Sequence, residues 1–439
     1  MFENNCVENK QPPIKDAIIF MSAYNIHKFK RHHIQWKQKV NSKELLEEFH
    51  IKGISHNNTY VAPYAKCNYT AEYNSINQVT AYHFEEDIAN IRSEYPDFSD
   101  EMMTILSLHH SSIALLDSTQ VHISTCFNLE SFLVVFDEKT FQVDPIVFMM
   151  NGALIVIFEL IDFESGIPLE YDSIYGRSHN FGIQPIKKMK YFNVDEFIED
   201  TRTIPEVIFE NVCAFLTKIN RNKWIVDNYS YVHNTLVLSN KINNVADYFQ
   251  MVLGAQINDF DPNNISSTDA FEYYSTEYLG VVTHIANDDS NRILFDCIVL
   301  ESFKVYLLLK MIIDFEINHK LTKIIKNQFY VESLFYPSRV PIITLNMISN
   351  IKTTTSFIQY KNAIDFKIKV LNHNQEKQRA SNGRLLNILL YILALLGSAQ
   401  TLQVLQTEFQ LPFEYSFWIV LGLFAVFGII WIIREIKKQ

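Results

Sequence analysis

The sequence has few of the residues that build the common phosphate-binding loops and metal sites. Only 11 of its 439 residues are glycine, and neither the GxGxxG pattern of dinucleotide-binding folds nor the GxxxxGK[ST] pattern of NTPases occurs. The five cysteines are widely spaced and include no CxxC pair, so neither a disulfide framework nor a zinc site is predicted. We therefore expect free thiols in a reducing compartment.

Clustered positive charge and an N-terminal leader are also lacking. The formal net charge is −11 and no stripe of Lys and Arg occurs, which argues against direct nucleic-acid binding. The N-terminus has no apolar run of the length that a signal peptide needs. The histidine groups, His27, His32 and His33 and then His109 and His110, have neither HExxH nor HxE spacing. No catalytic residue and no metal ligand is predicted, and we do not expect an enzyme.

Residues 1–290 mix charged, polar and aromatic residues as a globular domain does. Strands are predicted at Phe132–Phe136 and Ala153–Ile161, which are rich in β-branched and aromatic residues. Three helices are predicted, at Asp100–Leu108, Val194–Thr201 and Pro205–Ile219. The sequence therefore favours an α/β or α+β cytoplasmic sensor domain with a central sheet.

Residues 291–383 are predicted to form a helical stalk. The segment Ile293–Asn327 lacks Gly and Pro and is apolar on more than one face, which is typical of a helix buried among others. A break is expected at Tyr336–Pro341. A helix of about 60 residues follows from Leu345, with two weak points for helix formation, at Thr353–Ser356 and Ser381–Gly383.

The last segment, residues 384–439, contains two long runs without charge. Residues 385–405 and 415–433 are each about long enough to cross the ~30 Å hydrocarbon layer as a helix. Basic residues flank the pair on one side only, so the positive-inside rule predicts a multi-pass membrane protein with both termini in the cytoplasm. In a bacterium this would be the inner membrane. The alternative is a buried apolar hairpin in a soluble protein.

Polar side chains in the first run fall on one helical face, at spacings of three and four. An oligomer could enclose a pore lined by that face, namely by Asn387, Tyr391, Ala394, Ser398, Thr401 and Leu405. The alternative is that these side chains hydrogen-bond between helices. Glu408 and Glu414, in the turn between the runs, are predicted to attract cations.

This layout resembles that of the CorA-type metal-ion transporters, which join a cytoplasmic domain, a long helix, an acidic loop and a second span with a basic end. The segment YHFEEDI, Tyr82–Ile88, is similar to an acidic helix start of that family. The Gly-Met-Asn signature of the transporters does not occur, and residues 397–409 read GSAQTLQVLQTEF in its place. The CorA-like effectors of type III CRISPR systems share this layout without the signature.

The resemblance implies a homo-oligomeric ion channel in the lipid bilayer, a pentamer by analogy, that acts in antiviral defence. A small nucleotide second messenger, an S-adenosylmethionine–AMP conjugate, would gate it from the cytoplasmic domain, at residues the sequence does not reveal. The first alternative is a divergent divalent-cation transporter of the Mg²⁺ type. The second is a membrane-anchored enzyme.

Overall fold

The computed structural model describes most of the chain, and continuously so from residue 290 to residue 436. The other described ranges are 17–25, 51–73 without 57, 79–85, 98–136 without 120, 139–162 without 152, 179–185, 198–200, 231–238, 263–267, 271–276 and 279–283, with the short pieces 46, 93–94, 164, 208–209 and 212. Within the last two helices, the side chains of 391, 395–396, 399, 423–424 and 427–436 lie outside this description. The chain divides into two compact units, Met1–Asp365 and Phe366–Gln439. The predicted domain boundaries at 290 and 383 stay a prediction.

The first unit is built on an extended, mostly antiparallel β-sheet. Its described strands are β1 Ala17–Asn25, β2 Ile51–His56, β3 Thr59–Val61, β4 Lys66–Tyr73, β5 Val79–Phe84, β6 Ile123–Leu129, β7 Phe132–Phe136, β8 Lys139–Val143, β9 Ile146–Met150, β10 Ala153–Asp162, β11 His179–Pro185, β12 Ile198–Asp200, β13 Tyr231–Leu238, β14 Asn263–Ser267, β15 Glu272–Ser275 and β16 Leu279–Thr283. The main path through the sheet runs β14-β15-β16-β13-β1-β10-β9-β6-β2-β3-β4-β5. Of the described pairs, only β13 and β16 run parallel.

Strand β10 is near the middle of this path, between β1 and β9. Its first six residues, Ala153–Phe158, are all buried. Continuous burial indicates that both faces of the strand are covered, which explains why the segment reads as an unbroken apolar run. The predicted strand at Ala153–Ile161 is confirmed, as is the strand at Phe132–Phe136, which is β7.

Two helices pack against this sheet and against each other. Helix α1, Phe98–Leu116, contacts β6 and β2, and helix α2, Ser290–Ile312, contacts β1 and β13. Every residue from Cys297 to Leu309 is buried. A helix that is buried all round needs apolar residues on every face, as this segment has. The helix predicted at Asp100–Leu108 is therefore confirmed. The helix predicted at Ile293–Asn327 is confirmed as far as Ile312, but a π-helical turn and a break before Leu321 interrupt the rest.

The remaining helical elements follow α2 without a described strand between them. They are a π-helical turn at Ile313–Ile317, α3 Leu321–Leu334, α4 Ile342–Thr353, α5 Thr355–Thr407 and α6 Phe413–Ile436. Pro341 precedes the first residue of α4, where its fixed φ suits a helix start. The predicted break at Tyr336–Pro341 is confirmed.

The weak point at Thr353–Ser356 also ends a helix. Thr354 separates α4 from α5 with an extended backbone, φ −65° and ψ 141°, and its hydroxyl donates to the carbonyl of Ile351 at 2.8 Å. Threonine favours this local bond over continuing the helix. The second weak point, Ser381–Gly383, stays helical inside α5.

Three local predictions are wrong or lie beyond what is described. A strand, β12, occupies Ile198–Asp200, so the helix predicted at Val194–Thr201 is wrong. Residues Tyr82–Phe84 end β5, so the first part of YHFEEDI is a strand, and its last three residues lie outside the described ones. The helix predicted at Pro205–Ile219 lies mostly outside the described residues, which there include only 208–209 and 212, all helical.

The predicted transmembrane hairpin is corrected by the structure. Among the described residues, no helix has both the length and the apolar character to cross a membrane. In α5 polar residues such as Asn387, Ser398 and Thr401 interrupt the apolar run. The CorA-like fold, the multi-pass inner-membrane location and the ion-channel assignment all depended on that hairpin and are overturned with it.

Gly53 in β2 gives a test of how closely the sheet is packed. A Cβ atom at this position would lie 2.5 Å from Cζ of the fully buried Tyr60 ring and closer still to its hydroxyl. We expect Gly53→Ala to lower the free energy of unfolding by about 1–3 kcal/mol through overpacking. Denaturant titration followed by circular dichroism measures this loss.

Gly383 is the matched control, because a Cβ there meets nothing within 4 Å. Gly383→Ala should be neutral or stabilising by up to about 1 kcal/mol, since alanine favours the helix. In a Tyr60→Leu background the Gly53→Ala loss should shrink. Equal effects of the two glycine substitutions would contradict the close approach of Tyr60.

Candidate functional site

The buried face of α2 carries an ion pair between Glu301 and Lys304. The Lys304 ammonium lies 2.5 Å from Glu301 Oε2, and neither side chain is exposed. Lys304 Nζ also donates to Ser275 Oγ and to the Thr276 carbonyl, each at 2.6 Å. The Tyr273 hydroxyl donates to Glu301 Oε1 at 2.6 Å. The pair therefore joins α2 to the end of β15.

Helix α4 is tied to the same strand and to its surroundings by three side chains. Asn350 Nδ2 donates to the carbonyl of Ser275 at 3.0 Å. Asn346 Nδ2 donates to the carbonyl of Ile265 in β14 at 2.8 Å, and Thr344 Oγ1 donates to the carbonyl of Leu115 in α1 at 3.1 Å. Ser275 thus bonds α2 through its hydroxyl and α4 through its carbonyl.

Water is excluded from this network, and the groups in it are perturbed accordingly. Burial, and then the charge of Glu301, holds the pKa of the Tyr273 hydroxyl well above its usual value, so it stays a donor. Burial also raises the pKa of the Cys297 thiol, so that thiol is not a nucleophile. Gly280 leaves room for Glu301, since a Cβ there would lie 2.5 Å from Glu301 Oε1.

A second charged cluster lies where α2 ends in the π-helical turn. The N–H of Asn318 donates to the carbonyl of Ile313 at 3.0 Å, which is the wide bond of a π-turn. The buried Asp314 carboxylate in this turn accepts three amide N–H groups: from Asn318 and Asn327 at 2.8 Å and from Gln328 at 2.7 Å. Burial raises its pKa, and these donors oppose that effect.

Lys310 is one turn before Asp314, in the last turn of α2. Its ammonium lies 5.2 Å from the centre of the Tyr306 ring. Burial lowers the pKa of Lys310 to about 8, against the opposing charge of Asp314. Insertions of the π type occur often at functional sites, as do lysines whose pKa is near neutrality. This turn is therefore the part of the network best suited to bind a ligand.

Lys52, Ser131 and Asp144 form a third cluster, at the junction of β2 with α1. Lys52 Nζ donates to Ser131 Oγ at 2.6 Å and lies 3.3 Å from Asp144 and from Glu101, and the Ser131 hydroxyl donates to Asp144. Burial lowers the pKa of Lys52, but the two carboxylates outweigh it and the pKa is raised. A lysine that stays protonated cannot take the serine proton, so the cluster is not a Ser–Lys nucleophile.

The adjacent histidines of α1 are core residues. The rings of His109 and His110 stack with centres 5.6 Å apart, and His110 lies 5.1 Å from the Tyr82 ring. Burial, and then His122 and His56, lowers the pKa of His109 to about 4, and burial, then His109, lowers that of His110 to about 3. Both are neutral at pH 7. His27, His32 and His33 lie outside the described residues.

The residues predicted from sequence to line a pore all lie on α5, in the second unit. Asn387, Ser398 and Leu405 are partly exposed and Ala394 is exposed. The Thr401 hydroxyl donates to the carbonyl of Gly397 in its own helix at 2.8 Å. The side chain of Tyr391 lies outside the described ones. Nothing in the structure tests a role for this face.

Glu408 and Glu414 lie at the two ends of the short link between α5 and α6. The N–H of Glu408 donates to the carbonyl of Val404 at 2.9 Å, and Glu414 is in the first turn of α6. A carboxylate there complements the positive end of the helix dipole. The predicted turn is confirmed, and the cation-attracting role stays a prediction.

Sequence reasoning missed the charged residues that the structure brings together. Glu301, Lys304, Lys310 and Asp314 stand in a segment that was read only as an apolar, buried helix. Each charge inside such a run must be compensated on burial, because an isolated buried charge costs many kcal/mol. Charged residues in a helix predicted to be buried all round were the available signal.

Neither the described side chains nor the comparisons with known proteins indicate a metal site or a family. In the part of the chain that is described, no group of three or more His, Cys, Asp or Glu side chains is arranged to hold a metal ion. No family model, no curated protein and no solved structure matches the chain. These comparisons give no support to the CorA or CRISPR assignments, and the function must be argued from the site.

The neutral histidines of α1 predict a loss of stability in mild acid. Below about pH 6.5 these histidines bind protons in the unfolded chain but stay neutral in the folded one. The free energy of unfolding therefore falls as the pH drops from about 6.5 toward about 4. At pH 5 each histidine should destabilise the fold by about 2 kcal/mol relative to pH 7. Denaturant titrations at the two pH values measure the difference.

His109→Gln and His110→Phe should each reduce this acid sensitivity, because the replacements do not titrate. His319→Gln, at an exposed position before α3, is the control and should leave the acid sensitivity as it is in the unsubstituted chain. Equal acid sensitivity in all four proteins would show that the α1 histidines are not its source.

Proposed function

We propose that this chain is a ligand-responsive effector that works as a homo-oligomer, with α2 and α4 as its coupling elements. The observation that carries the proposal is the double use of Ser275. Its hydroxyl accepts from Lys304 in α2 and its carbonyl accepts from Asn350 in α4. A displacement of α2 along or about its axis therefore acts on α4 through one residue.

A buried ion pair is better explained by this coupling role than by a contribution to the stability of the fold. Removing two charges from water costs about as much as their attraction returns, so apolar residues of similar volume would hold the helices at least as firmly. What the pair adds is a single allowed arrangement of α2, β15 and α4. A ligand that favours a different arrangement shifts the population between the two states by its difference in affinity.

The ligand of this proposal is a small nucleotide, with a divalent cation as the alternative. Lysines next to the charged turn favour an anion. Lys323 and Lys326 are exposed on α3, and Lys320 precedes it. These charges lie within a few turns of Lys310 along the chain and add to the potential that a phosphate would meet.

The homo-oligomer is supported by apolar side chains that the second unit leaves exposed. Four aromatic residues of α6 are 43–66% exposed, namely Phe413, Tyr415, Phe417 and Trp418. Since an aromatic side chain presents 150–250 Å², they offer roughly 350–600 Å². A stable interface needs about 800 Å² per partner. Seven exposed Leu and Ile residues of α5, between Leu385 and Leu393, supply the remainder.

The coupling is tested by Glu301→Gln, which leaves Lys304 buried without its counter-charge. Loss of one partner of a buried pair costs about 3–5 kcal/mol. We expect amide exchange of α4, residues 342–353, to rise at least tenfold, measured by hydrogen exchange with mass spectrometry. Glu332→Gln, at an exposed acid of α3, is the control and should change nothing.

Peptides of β3 and β4 distinguish coupling from a general loss of stability. These strands lie near the far end of the sheet path from β15. Coupling predicts that α4 loses protection while β3 and β4 keep theirs. An equal loss in both places would show that the ion pair only stabilises the fold, and the proposal would fall.

The oligomer is tested by sedimentation velocity of the full chain without detergent. We expect a multiple of the chain mass, and at least tenfold weaker association in the double variant Leu386→Gln, Leu390→Gln, because exposed apolar anchors dominate interfaces. The variant Gln375→Asn, Gln378→Asn changes two exposed polar residues of the same helix and should associate normally. A monomer, or capture by lipid vesicles in place of self-association, would contradict the homo-oligomer.

A further inference from the structure

Lys310, which is partly exposed, has fewer partners among the described residues than the fully buried Lys304 of the same helix. Lys304 has a carboxylate at 2.5 Å and two oxygen acceptors at 2.6 Å. Among the described residues, Lys310 has no hydrogen-bond acceptor and no ion pair. Its one described contact of the ammonium is the Tyr306 ring, at 5.2 Å. An ammonium over an aromatic face is held by the quadrupole of the ring alone, whereas a paired ammonium also has a carboxylate and hydrogen-bond acceptors.

Asp314 does not fill that gap, although it is the nearest opposite charge on the helix. Its carboxylate is held by the amides of Asn318, Asn327 and Gln328 at 2.7–2.8 Å. These three bonds fix the carboxylate on the side of α3. The acid therefore lowers the energy of the Lys310 ammonium from a distance without bonding it.

The surroundings of Lys310 supply further polar groups and a route from solvent. The Tyr306 hydroxyl lies 3.4 Å from the Tyr330 hydroxyl, which accepts from Asn151 Nδ2 at 2.9 Å. Asn151 adopts a left-handed backbone, φ 42°, in the turn between β9 and β10. Lys310 is partly exposed, whereas Lys304 is not, so solvent reaches part of its side chain.

We propose that Lys310, set between the Tyr306 ring and the amide-held Asp314, binds the phosphate of a small phosphate monoester. A phosphate oxygen would supply the acceptor that the ammonium lacks, and Tyr330 and Asn151 would offer hydroxyl and amide donors beside it. The site deepens the proposed function and rests on it, because it places the ligand on the same helix as the Glu301–Lys304 pair.

Binding has a measurable effect on the lysine itself. An anion at the ammonium favours the charged form, so the pKa of Lys310 rises from its lowered value of about 8. A rise of one pH unit corresponds to a tenfold preference of the anion for the protonated lysine.

The test is acetylation of the full chain with trace acetic anhydride over a range of pH, followed by mass spectrometry. We expect the Lys310 rate to reach half its maximum near pH 8, and to do so at least one unit higher with millimolar phosphate or AMP. Lys66, exposed on β4, is the internal control, and its acetylation profile should be the same with and without the anion. Lys310→Gln should abolish the thermal stabilisation by AMP, whereas Lys66→Gln should keep it.

Three outcomes would overturn the site. One is a Lys310 midpoint that neither phosphate nor AMP moves. Another is an equal shift with acetate, which would make the site a carboxylate site. The last is stabilisation by AMP that survives in Lys310→Gln, which would place the anion elsewhere.

The failure of this site is distinct from the failure of the proposed function. Suppose that phosphate does not change the pKa of Lys310, while Glu301→Gln still raises amide exchange in α4 and not in β3 and β4. The ligand site is then wrong and the coupling stands. Suppose instead that AMP raises the pKa of Lys310, but Glu301→Gln raises amide exchange equally in α4 and in β3 and β4. The site then stands and the coupling is wrong.

Discussion

The first unit depends on one constraint, the burial of opposite charges within a helix that is covered on every side. Glu301 and Lys304 have no exposed surface, so every hydrogen bond they need must come from protein. Tyr273, Ser275 and the carbonyl of Thr276 meet that need from one strand end. The rotation of α2 and its position along the sheet are therefore fixed by polar geometry, since apolar contacts alone permit several arrangements.

The π-helical turn, Ile313–Ile317, directly follows the buried segment of α2. A regular helix would place Asp314 above Lys310, one turn on, where the two would pair. The inserted residue of the turn moves the carboxylate toward α3, where Asn318, Asn327 and Gln328 enclose it. The carboxylate is thus bonded by these amides, and no described ion pair joins it to Lys310 in the adjacent turn. The stability given up in this way is typical of functional sites.

Sequence patterns predicted the elements whose signal is local. The strands β7 and β10 and the helix α1 were predicted from composition and periodicity, as was α2 within a longer predicted helix. A weak point was predicted from poor helix formers where α4 ends, at Thr354. Sheet order was not predicted, because antiparallel neighbours such as β1 and β10 are more than a hundred residues apart. The helix predicted at Val194–Thr201 failed because pairing of β12 with β11 overrides the local preference.

The candidate site was beyond prediction for a related reason. Nothing in the sequence shows that Asn327 and Gln328 of α3 return to Asp314, or that Asn350 of α4 reaches Ser275. The prediction of two membrane spans weighed the absence of charge over about 20 residues. That rule considers only the composition along a run. It drew attention to the apolar runs of α5 and α6, whereas the charged residues inside α2 were the more informative feature.

The two lysines of α2 differ in role, since Lys304 maintains the fold and Lys310 is the residue proposed to bind the ligand. Lys304 is enclosed and satisfied, so any change at this residue changes the fold around it. Lys310 is partly exposed and has no acceptor among the described residues, so its charge is held at some cost that a ligand can offset. The two residues are six apart on one helix, so under the proposed coupling a ligand bound at Lys310 would act on Lys304. A helix with both lysines satisfied would be more stable, but no ligand could gain by moving it.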